Sequence, residues 1–451
     1  MPSIPFARSN YERSEGDLPA FRTVNLYTEK AQGDNYVLQS RPGLDDRGAD
    51  MGAGPVKQVF KRDGVFGGDL FGVSAGNLYR NTTSLGSIPG TGFMSIAGNE
   101  IGVMVASGST LRYYNGTTLA DVTFPDTADV AHVFAGGSRF WFIRKDTGKL
   151  YWTDALEADV ESLDFATAES LPDKLLQGLW IDGMAVLFGA ETIELWQQTG
   201  DATLPIKPMV NLVYERGIKA TGCATAIGST FAWVGNDNVV YLTDEKTPIS
   251  NEGLNAKIAA SNTCGLFTFL IDGAEFLALR MDDATEVWRQ STGTWHEWAT
   301  YGQTNWAASC CDAGVFGSGI DGKTLAWGTD KTDALATGGV MERLLTAGFS
   351  VDGGMGTVNN LRLRCAAGVT PYLAGEYATP MVEMRLSDDG GKLWSDWDAV
   401  SLGEQGDYGA LVEWRALGGF GYPGALFEFR CTDPVGFRVS DVLINERFGG
   451  R

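Results

Sequence analysis

The segment ETIELWQ, residues 191–197, shows a pattern that recurs through the middle of the chain. A polar turn leads into a short strand, which carries an aromatic residue near its end and is followed by a polar exit. Six other segments share this pattern: GNLYRN (76–81), STLRYYNG (109–116), GKLYWTD (148–154), NVVYLTD (238–244), TEVWRQ (285–290) and KTLAWGTD (323–330). We call the aromatic residues anchors; they are Tyr79, Tyr113, Tyr151, Trp196, Tyr241, Trp288 and Trp327.

Most anchored strands follow another short apolar strand across a glycine-containing or polar turn, as LFGVSAG precedes Tyr79 and MAVLFGA precedes Trp196. Such pairs indicate β-hairpins. A third apolar stretch, such as VAHVFAG or LQGLWIDG, lies upstream of several of these hairpins. Three to four strands for every interval of roughly 34 to 47 residues is typical of a propeller blade. We therefore predict an all-β chain with a seven-bladed β-propeller over residues 52–340.

The remaining segments flank these repeats. Residues 1–51 predict an extended N-terminal arm and first strands, part of which completes the first or last blade, because a closed ring has no exposed edges. Residues 341–451 predict a C-terminal antiparallel β-sandwich-like domain, since its long strands alternate apolar and polar residues. Within it, residues 341–354 suggest a short helical turn. Residues 251–261 predict a helix with Asn251 as N-cap.

Composition and charge limit the functions that the chain can have. Among 451 residues, the formal net charge is −21, which argues against a protein that grips nucleic acid or anionic membranes. No apolar run reaches the length of a membrane span, and residues 1–17 show no signal peptide, so synthesis in a cytoplasm is expected. The six cysteines lack CxxC spacing and only two histidines occur, so we predict free thiols, no metal and no cofactor.

Three features suggest a chemical interpretation, and each also has a structural one. Glu194 beside Trp196 suggests glycan chemistry, but strand alternation favours an outward carboxylate. In WHEW (295–298), His296 and Glu297 are more typical of a packed hairpin. SDDGGKLW (387–394) fits an Asp-box, in which Asp389 and Gly391 make a turn and Trp394 packs beneath it. We predict no catalytic, cofactor-binding or metal-binding residues, and the sequence identifies no partner-binding residues.

The order of four segments resembles the packaged-DNA stabilisation proteins of short-tailed bacteriophages, the tail hub or head-closure family. These segments are RPGL (41–44), ETIELWQQTG (191–200), ERGIKATGC (215–223) and PISNEGLNAKIA (248–259). The likeness is firmest at Ile193-Glu194, Thr199-Gly200 and Gly217-Ile218. It implies a non-enzymatic structural protein of the virion tail, made in the host cytoplasm, with a propeller and an added β-domain.

The resemblance also implies partners. Such a hub would join portal and adaptor proteins, form a ring with other copies, and carry a tail needle, tailspikes or fibres. Genomic DNA would pass through the channel without sequence-specific binding, and no membrane would be involved. We expect a monomer before assembly, with Arg8, Arg13, Arg22 and Arg41 of the arm meeting acidic groups on a partner. The alternative is a glycan-binding or glycan-cleaving β-propeller tail protein.

Overall fold

A computed structural model describes residues 3–11, 20–31, 35–168, 173–333, 339–351 and 353–445. Strands dominate it, which agrees with the many β-branched and aromatic residues between glycine-containing turns. Four strands precede the repeats: β1 (Thr23–Val24), β2 (Leu26–Lys30), β3 (Tyr36–Ser40) and β4 (Leu44–Asp50).

Blades 1 to 5 are four-stranded antiparallel sheets whose strands follow one another in chain order. Blade 1 contains β5 (Val56–Phe60), β6 (Phe71–Ser74), β7 (Asn77–Arg80) and β8 (Thr83–Ser87). Blade 2 contains β9 (Ser95–Asn99), β10 (Gly102–Ala106), β11 (Leu111–Tyr114) and β12 (Leu119–Asp121). Blade 3 contains β13 (Val130–Gly136), β14 (Arg139–Arg144), β15 (Lys149–Thr153) and β16 (Val160–Thr167).

Blade 4 contains β17 (Leu175–Ile181), β18 (Met184–Gly189), β19 (Ile193–Gln198) and β20 (Ile206–Tyr214). Blade 5 contains β21 (Ala224–Ile227), β22 (Thr230–Val234), β23 (Val240–Leu242) and β24 (Asp244–Pro248). Helix α1 (Glu252–Ala260) follows, and the Asn251 side chain accepts from the Leu254 amide (3.0 Å), so the predicted helix and N-cap are confirmed. Three short 3-10 turns are Phe66–Gly68, Pro125–Thr127 and Glu376–Ala378.

Blades 6 and 7 both contact strands from the start of the chain. Blade 6 contains β25 (Cys264–Ile271), β26 (Ala274–Met281), β27 (Thr285–Arg289) and β28 (Thr294–Glu297). Blade 7 contains β29 (Ala308–Asp312), β30 (Val315–Ser318) and β31 (Lys323–Trp327), and its fourth strand is β4. The N-terminal strand β4 therefore completes the last blade, as the need for a closed ring predicts, and the chain continues directly into blade 1.

The seven anchors occupy one position in the architecture. Each lies on the third strand of its blade, and the apolar strand that precedes it in the sequence is the second strand. The prediction of seven aromatic-ended repeats is thus confirmed. The buried apolar side chains form clusters between neighbouring blades, including one between blades 7 and 1 that contains Met51, Val56 and Cys310. Each blade is therefore buried on both faces.

The C-terminal residues form a sandwich of two sheets around a separate core. Its strands are β32 (Arg343–Ser350), β33 (Gly356–Cys365), β34 (Met381–Ser387), β35 (Asp398–Ser401), β36 (Glu413–Phe420), β37 (Gly424–Cys431) and β38 (Arg438–Ile444). The helical turn predicted over 341–354 is wrong, because β32 occupies most of that range and pairs with β37 throughout its length. Pairing with β37 therefore determines the conformation of this segment.

The N-terminal residues belong to both parts of the molecule. Strands β2 and β3 join β38, β33 and β36 in one sheet of the sandwich, while Ile4, Phe6 and Ala7 pack into its core. Strand β1 lies between β28 of blade 6 and β32, so blade 6 and the second sandwich sheet form one continuous nine-stranded sheet. The division at residues 52 and 341 stays a prediction, since strands from 23–50 contribute to sheets on both sides of it.

Candidate functional site

The strand β1 joins the propeller to the sandwich, and we call this contact the seam. His296 of β28 lies at the seam with no exposed surface. Its Nε2 accepts from the Thr28 amide (3.1 Å), so Nδ1 carries the proton and donates to Thr23 Oγ1 (2.7 Å). Burial lowers the pKa of His296 to about 3, which keeps the ring neutral. His296 therefore has a structural position, as the packed-hairpin interpretation of WHEW predicts.

Two carboxylates lie side by side at the seam, because Glu286 and Glu297 are cross-strand partners on β27 and β28. Glu286 is almost fully buried and accepts from Lys257 Nζ (3.0 Å) and Asn10 Nδ2 (3.1 Å). Burial raises the pKa of Glu286. Glu297 forms a bidentate pair with Arg22, with Nη2 at 2.9 Å from both carboxylate oxygens. Each acid is thus compensated by its own cation.

The size of the cavity beside Glu286 limits which molecules can reach this carboxylate pair. The cavity lined by Asn10, Lys257, Glu286 and Trp295 has a volume of about 10 Å³. Such a volume accommodates at most about one water molecule. A sugar ring cannot enter, so the geometry required for glycoside cleavage, two carboxylates with a substrate between them, is not available here.

The arginine of the RPGL segment forms a buried ion pair. Arg41 and Asp333 have fully buried side chains, and the guanidinium donates to both carboxylate oxygens (2.8 and 2.6 Å). Arg41 Nε also donates to Asn25 Oδ1 (2.8 Å), and the Leu44 amide donates to Asp333 (3.1 Å). At Gly43 a Cβ would lie 1.8 Å from the Thr332 oxygen, so only glycine fits. The pair joins the start of the chain to the end of blade 7.

For Arg41 and Arg22, this arrangement corrects the expectation that arginines of the arm meet acidic groups on a partner. Arg41 is buried against Asp333 and Arg22 pairs with Glu297 of the same chain. Arg8 lies over the rings of Phe6 and Tyr36, at 5.4 and 5.6 Å from their centroids. Arg13 lies outside the described residues.

The prediction that Glu194 points outward is wrong. Its side chain is buried, and its Oε2 accepts from the Trp196 indole nitrogen (2.9 Å). Trp196 packs between blades 3 and 4, whereas Ile193 packs between blades 4 and 5. Alternation along the strand holds, but neither face of a blade is solvated, and this is why the inference failed. Glu194 and Trp196 are packing partners between blades.

The Asp-box is a turn with the predicted construction. Asp389 Oδ1 accepts from the amides of Lys392 (2.9 Å) and Leu393 (3.0 Å), and the Ser387 hydroxyl bonds to the same oxygen (2.8 Å). These bonds, led by that from Leu393, lower the pKa of Asp389. The Trp394 indole donates back to Gly391 O (3.1 Å). The turn interpretation is confirmed.

The Asp-box turn presents two tryptophans to a pair of arginines on the sandwich. Arg385 lies 4.8 Å above Trp394 and 4.6 Å above Trp397, and Arg430 lies 4.1 Å above Trp397. Glu428 accepts from Arg385 Nε (2.7 Å). The tryptophan faces are therefore covered by guanidinium groups, which stabilise the turn through cation–π contacts.

A cavity of about 300 Å³ lies where the first strands of all seven blades converge. The charged residues that line it are Lys57 and Arg62, and its polar residues include Gln177 and His132. His132 stacks on Phe93 (6.1 Å between ring centroids), and burial lowers its pKa to about 3. Its Nδ1 has no hydrogen-bond partner among the described residues. The cavity belongs to the size class of small-molecule sites, far below that of a duplex channel.

Within the ranges that the structure describes, no group of three or more histidine, cysteine, aspartate or glutamate side chains is arranged to hold a metal ion. None of the helices in those ranges has the length and apolar character needed to cross a membrane. The expectation that no metal or cofactor is bound stays a prediction.

The comparison with protein families gives a direct assignment. A family model described as bacteriophage P22 Gp10, beta-propeller, matches residues 2–295, and the chain belongs to this family. The chain is 26% identical over 186 residues to the tail hub protein gp10 of Salmonella phage P22. This match covers 37% of this chain and 39% of that protein. The family membership confirms the resemblance inferred from RPGL and IELWQQTG, and it identifies a phage tail structural protein.

Solved structures share only a distant likeness with the chain. The extracellular domain of BT4673 from B. thetaiotaomicron is 8% identical, with a TM-score of 0.42, over 87% of this chain and 58% of that one. YCF48 from Cyanidioschyzon merolae is 10% identical, with a TM-score of 0.41, over 63% of this chain and 98% of that one. At these scores the likeness adds nothing to the family assignment.

Proposed function

We propose that this protein is the hub that closes the lower end of a portal–adaptor assembly in a short-tailed phage. In this role it extends the DNA channel, retains the packaged genome, and carries a tail needle, tailspikes or fibres. The observation that carries the proposal is membership of the P22 Gp10 family over residues 2–295. The match to the P22 tail hub covers 39% of that protein, so each of these finer roles is part of the proposal.

The seam supports a load-bearing role. A protein that holds back a pressurised genome must not hinge between its parts. Here the nine-stranded sheet runs without interruption from blade 6 into the sandwich. The buried Arg41–Asp333 pair and the Glu286–Lys257 pair fix the same region from within. Interrupting the sheet would require breaking backbone hydrogen bonds at β1, so the two parts would move as one body.

The channel for DNA would lie between copies rather than inside a propeller. The major groove of duplex DNA alone is about 12 Å wide, and the central cavity of about 300 Å³ does not admit a duplex. A ring of copies would leave a central passage lined by acidic protein. With a formal net charge of −21 per chain, such a passage would repel phosphates and let DNA slide.

We also propose that the protein is not an enzyme. The carboxylates that suggested glycan chemistry serve packing and ion pairing: Glu194 with Trp196, Glu286 with Lys257 and Glu297 with Arg22. This supports a structural role over the glycan-cleaving alternative. Incubation with host polysaccharide tests it: we expect no new reducing ends, and hydrolysis that disappears in Glu286→Gln would overturn this part.

The main test uses phage particles that lack the protein. We expect such particles to package DNA and then lose it, so the nuclease-resistant genome content per capsid falls, while supplying the protein from a plasmid restores it. Purified protein added to empty portal–adaptor complexes should form a ring visible by negative-stain electron microscopy. Particles that keep full genomes and fail only at host attachment would overturn the retention role and favour the glycan-binding alternative.

A further inference from the structure

Two cysteines from neighbouring blades face each other beside the central cavity. Cys223 lies in the turn before β21 of blade 5, and Cys264 is the first residue of β25 of blade 6. The Cys223 thiol donates to the Cys264 carbonyl oxygen (3.3 Å), and both side chains pack in the same apolar cluster. Both cysteines are free. We propose that Cys223 and Cys264 form a reversible redox pair whose disulfide joins blade 5 to blade 6.

The backbone on both sides of the pair is held in place. Gln177 of blade 4 accepts from the Gly222 amide (2.8 Å) and donates to the Ala224 carbonyl (2.7 Å), so it fixes the residues on either side of Cys223. The Leu266 amide of blade 6 donates to the Gly222 oxygen (2.9 Å). A disulfide requires closely spaced backbones with little freedom to separate, and these three hydrogen bonds supply that condition.

The two thiols differ in access and in acidity, which assigns them different roles. Cys223 has no exposed surface, whereas Cys264 is half-buried. The neighbouring Cys223 thiol lowers the pKa of Cys264, and Lys219 acts in the same direction, while burial and Asp282 oppose this shift. The neighbouring Cys264 thiol and burial both raise the pKa of Cys223. Cys264 is therefore the attacking thiolate and Cys223 the resolving thiol.

The exchange needs an oxidant, which we take to be a small-molecule disulfide such as oxidised glutathione. The Cys264 thiolate attacks one sulfur, the glutathione S–S bond breaks, and one glutathione leaves and takes up a proton. Cys223 then gives up its proton, its sulfur attacks that of Cys264, and the second glutathione leaves as a thiol. Two protein thiols and one glutathione disulfide become one protein disulfide and two glutathione thiols.

The cross-link would constrain a defined part of the ring. The bonded loop spans about 40 residues, which include all of blade 5 and α1. A chain made in a reducing cytoplasm would carry the dithiol, and oxidising surroundings would close it. The ring would then resist separation of blades 5 and 6 through a covalent bond as well as through packing.

The test starts from the fully reduced, full-length protein. Under incubation with oxidised glutathione, free thiols measured after denaturation should fall from six per chain to four. Peptide mass mapping should then find Cys223 linked to Cys264. The melting temperature of the oxidised protein should rise by several degrees and return after reduction. Retention of all six thiols by folded protein, or a disulfide elsewhere, would overturn the proposal.

Single variants separate the two roles, and serine preserves the size of the side chain. In Cys223→Ser, a glutathione adduct should accumulate on Cys264, whereas in Cys264→Ser the remaining Cys223 should react roughly tenfold more slowly because it is buried. Cys311→Ser is the matched control and should still form the 223–264 disulfide. Equal reactivity of Cys223 and Cys264 in the two variants would contradict the assigned order of attack.

Discussion

Blades 6 and 7 use neighbouring strands of the same N-terminal segment for opposite purposes. In blade 7, β4 is the fourth strand and pairs with β31, so the blade ends there and the ring is closed. In blade 6 all four strands come from the repeat itself, and β1 adds a fifth that leads onward into the sandwich. One segment therefore closes a sheet in one place and extends a sheet in another.

The difference shows how the edges of the two blades are managed. An unpaired edge strand invites pairing with another chain. In blade 7 the borrowed β4 becomes the outer edge strand, whereas blade 6 has no outer edge strand, because β1 continues its sheet into the sandwich. Arg41 donates to Asn25, which follows β1, and Asp333 accepts from the amide of Leu44, the first residue of β4, so the pair stabilises both arrangements.

The largest expected effect comes from two N-terminal deletions. Removal of residues 1–35 deletes β1 and β2 but keeps Arg41 and β4, so the propeller should persist as a protease-resistant fragment while the sandwich is degraded. Removal of residues 1–51 also deletes β4 and should leave no resistant fragment, because the ring then lacks its closing strand. Limited trypsin digestion with mass mapping measures this. Equal resistance of the two deletion proteins would refute the division of labour between β1 and β4.

The next largest effect is expected at the buried ion pair. Asp333→Ala leaves the Arg41 charge buried without its partner, which should cost about 3–5 kcal/mol. The double variant Arg41→Met with Asp333→Ala should recover part of this, since no buried charge remains. The urea dependence of tryptophan fluorescence suits the measurement, because Trp298 and Trp306 lie beside the Arg41 guanidinium. A double variant no more stable than the single one would argue against an unpaired charge as the cause.

A moderate effect of pH is expected from the two histidines. Both have a pKa near 3 in the folded chain and about 6.5 when unfolded, through burial. The unfolded chain therefore binds more protons between these values, so stability should fall as pH decreases from 6.5 toward 3. Melting temperatures at pH 7 and 5 measure this, and His296→Gln should reduce the slope. An unchanged slope in both His296→Gln and His132→Asn would assign the pH dependence to other groups.

The smallest effect is expected at the exposed end of the seam. The Arg22 side chain is 36% exposed, so its pair with Glu297 is partly screened by solvent. Arg22→Ala should cost no more than about 1 kcal/mol. The comparison with Asp333→Ala uses the same fluorescence measurement. A cost as large as that of Asp333→Ala would show that the seam depends on this surface pair.

The repeats were predictable because each blade repeats a local pattern. A strand that ends in an aromatic residue after a hairpin turn is visible in the sequence at Tyr151 and Trp288, and its position as third strand follows from the order of the hairpins. The helix at 252–260 was predictable for the same reason, since Asn251 and the residues after it are local signals. The sandwich strands were visible through their alternation.

The seam was not predictable, because its partners are far apart in the sequence. Arg41 and Asp333 are separated by 292 residues, and Thr23 and His296 by 273. The RPGL segment is distinctive in the sequence, yet nothing local to it indicates which acid its arginine meets. The Glu194 prediction failed for a related reason: alternation identifies two faces of a strand but not whether a neighbouring blade covers both.

The position of β1 to β4 also bears on the order of events at the ribosome. Ser40, at the end of β3, bonds to Phe437, which is synthesised 397 residues later. At roughly 5–20 residues per second, this corresponds to a delay of about 20–80 s during which β3 lacks its partner β38. The ring cannot be finished before β31 emerges, and the sandwich cannot be finished before β38 emerges. A chain interrupted during translation would expose unpaired strands, which gives the cell a means to recognise and degrade it before it reaches a virion.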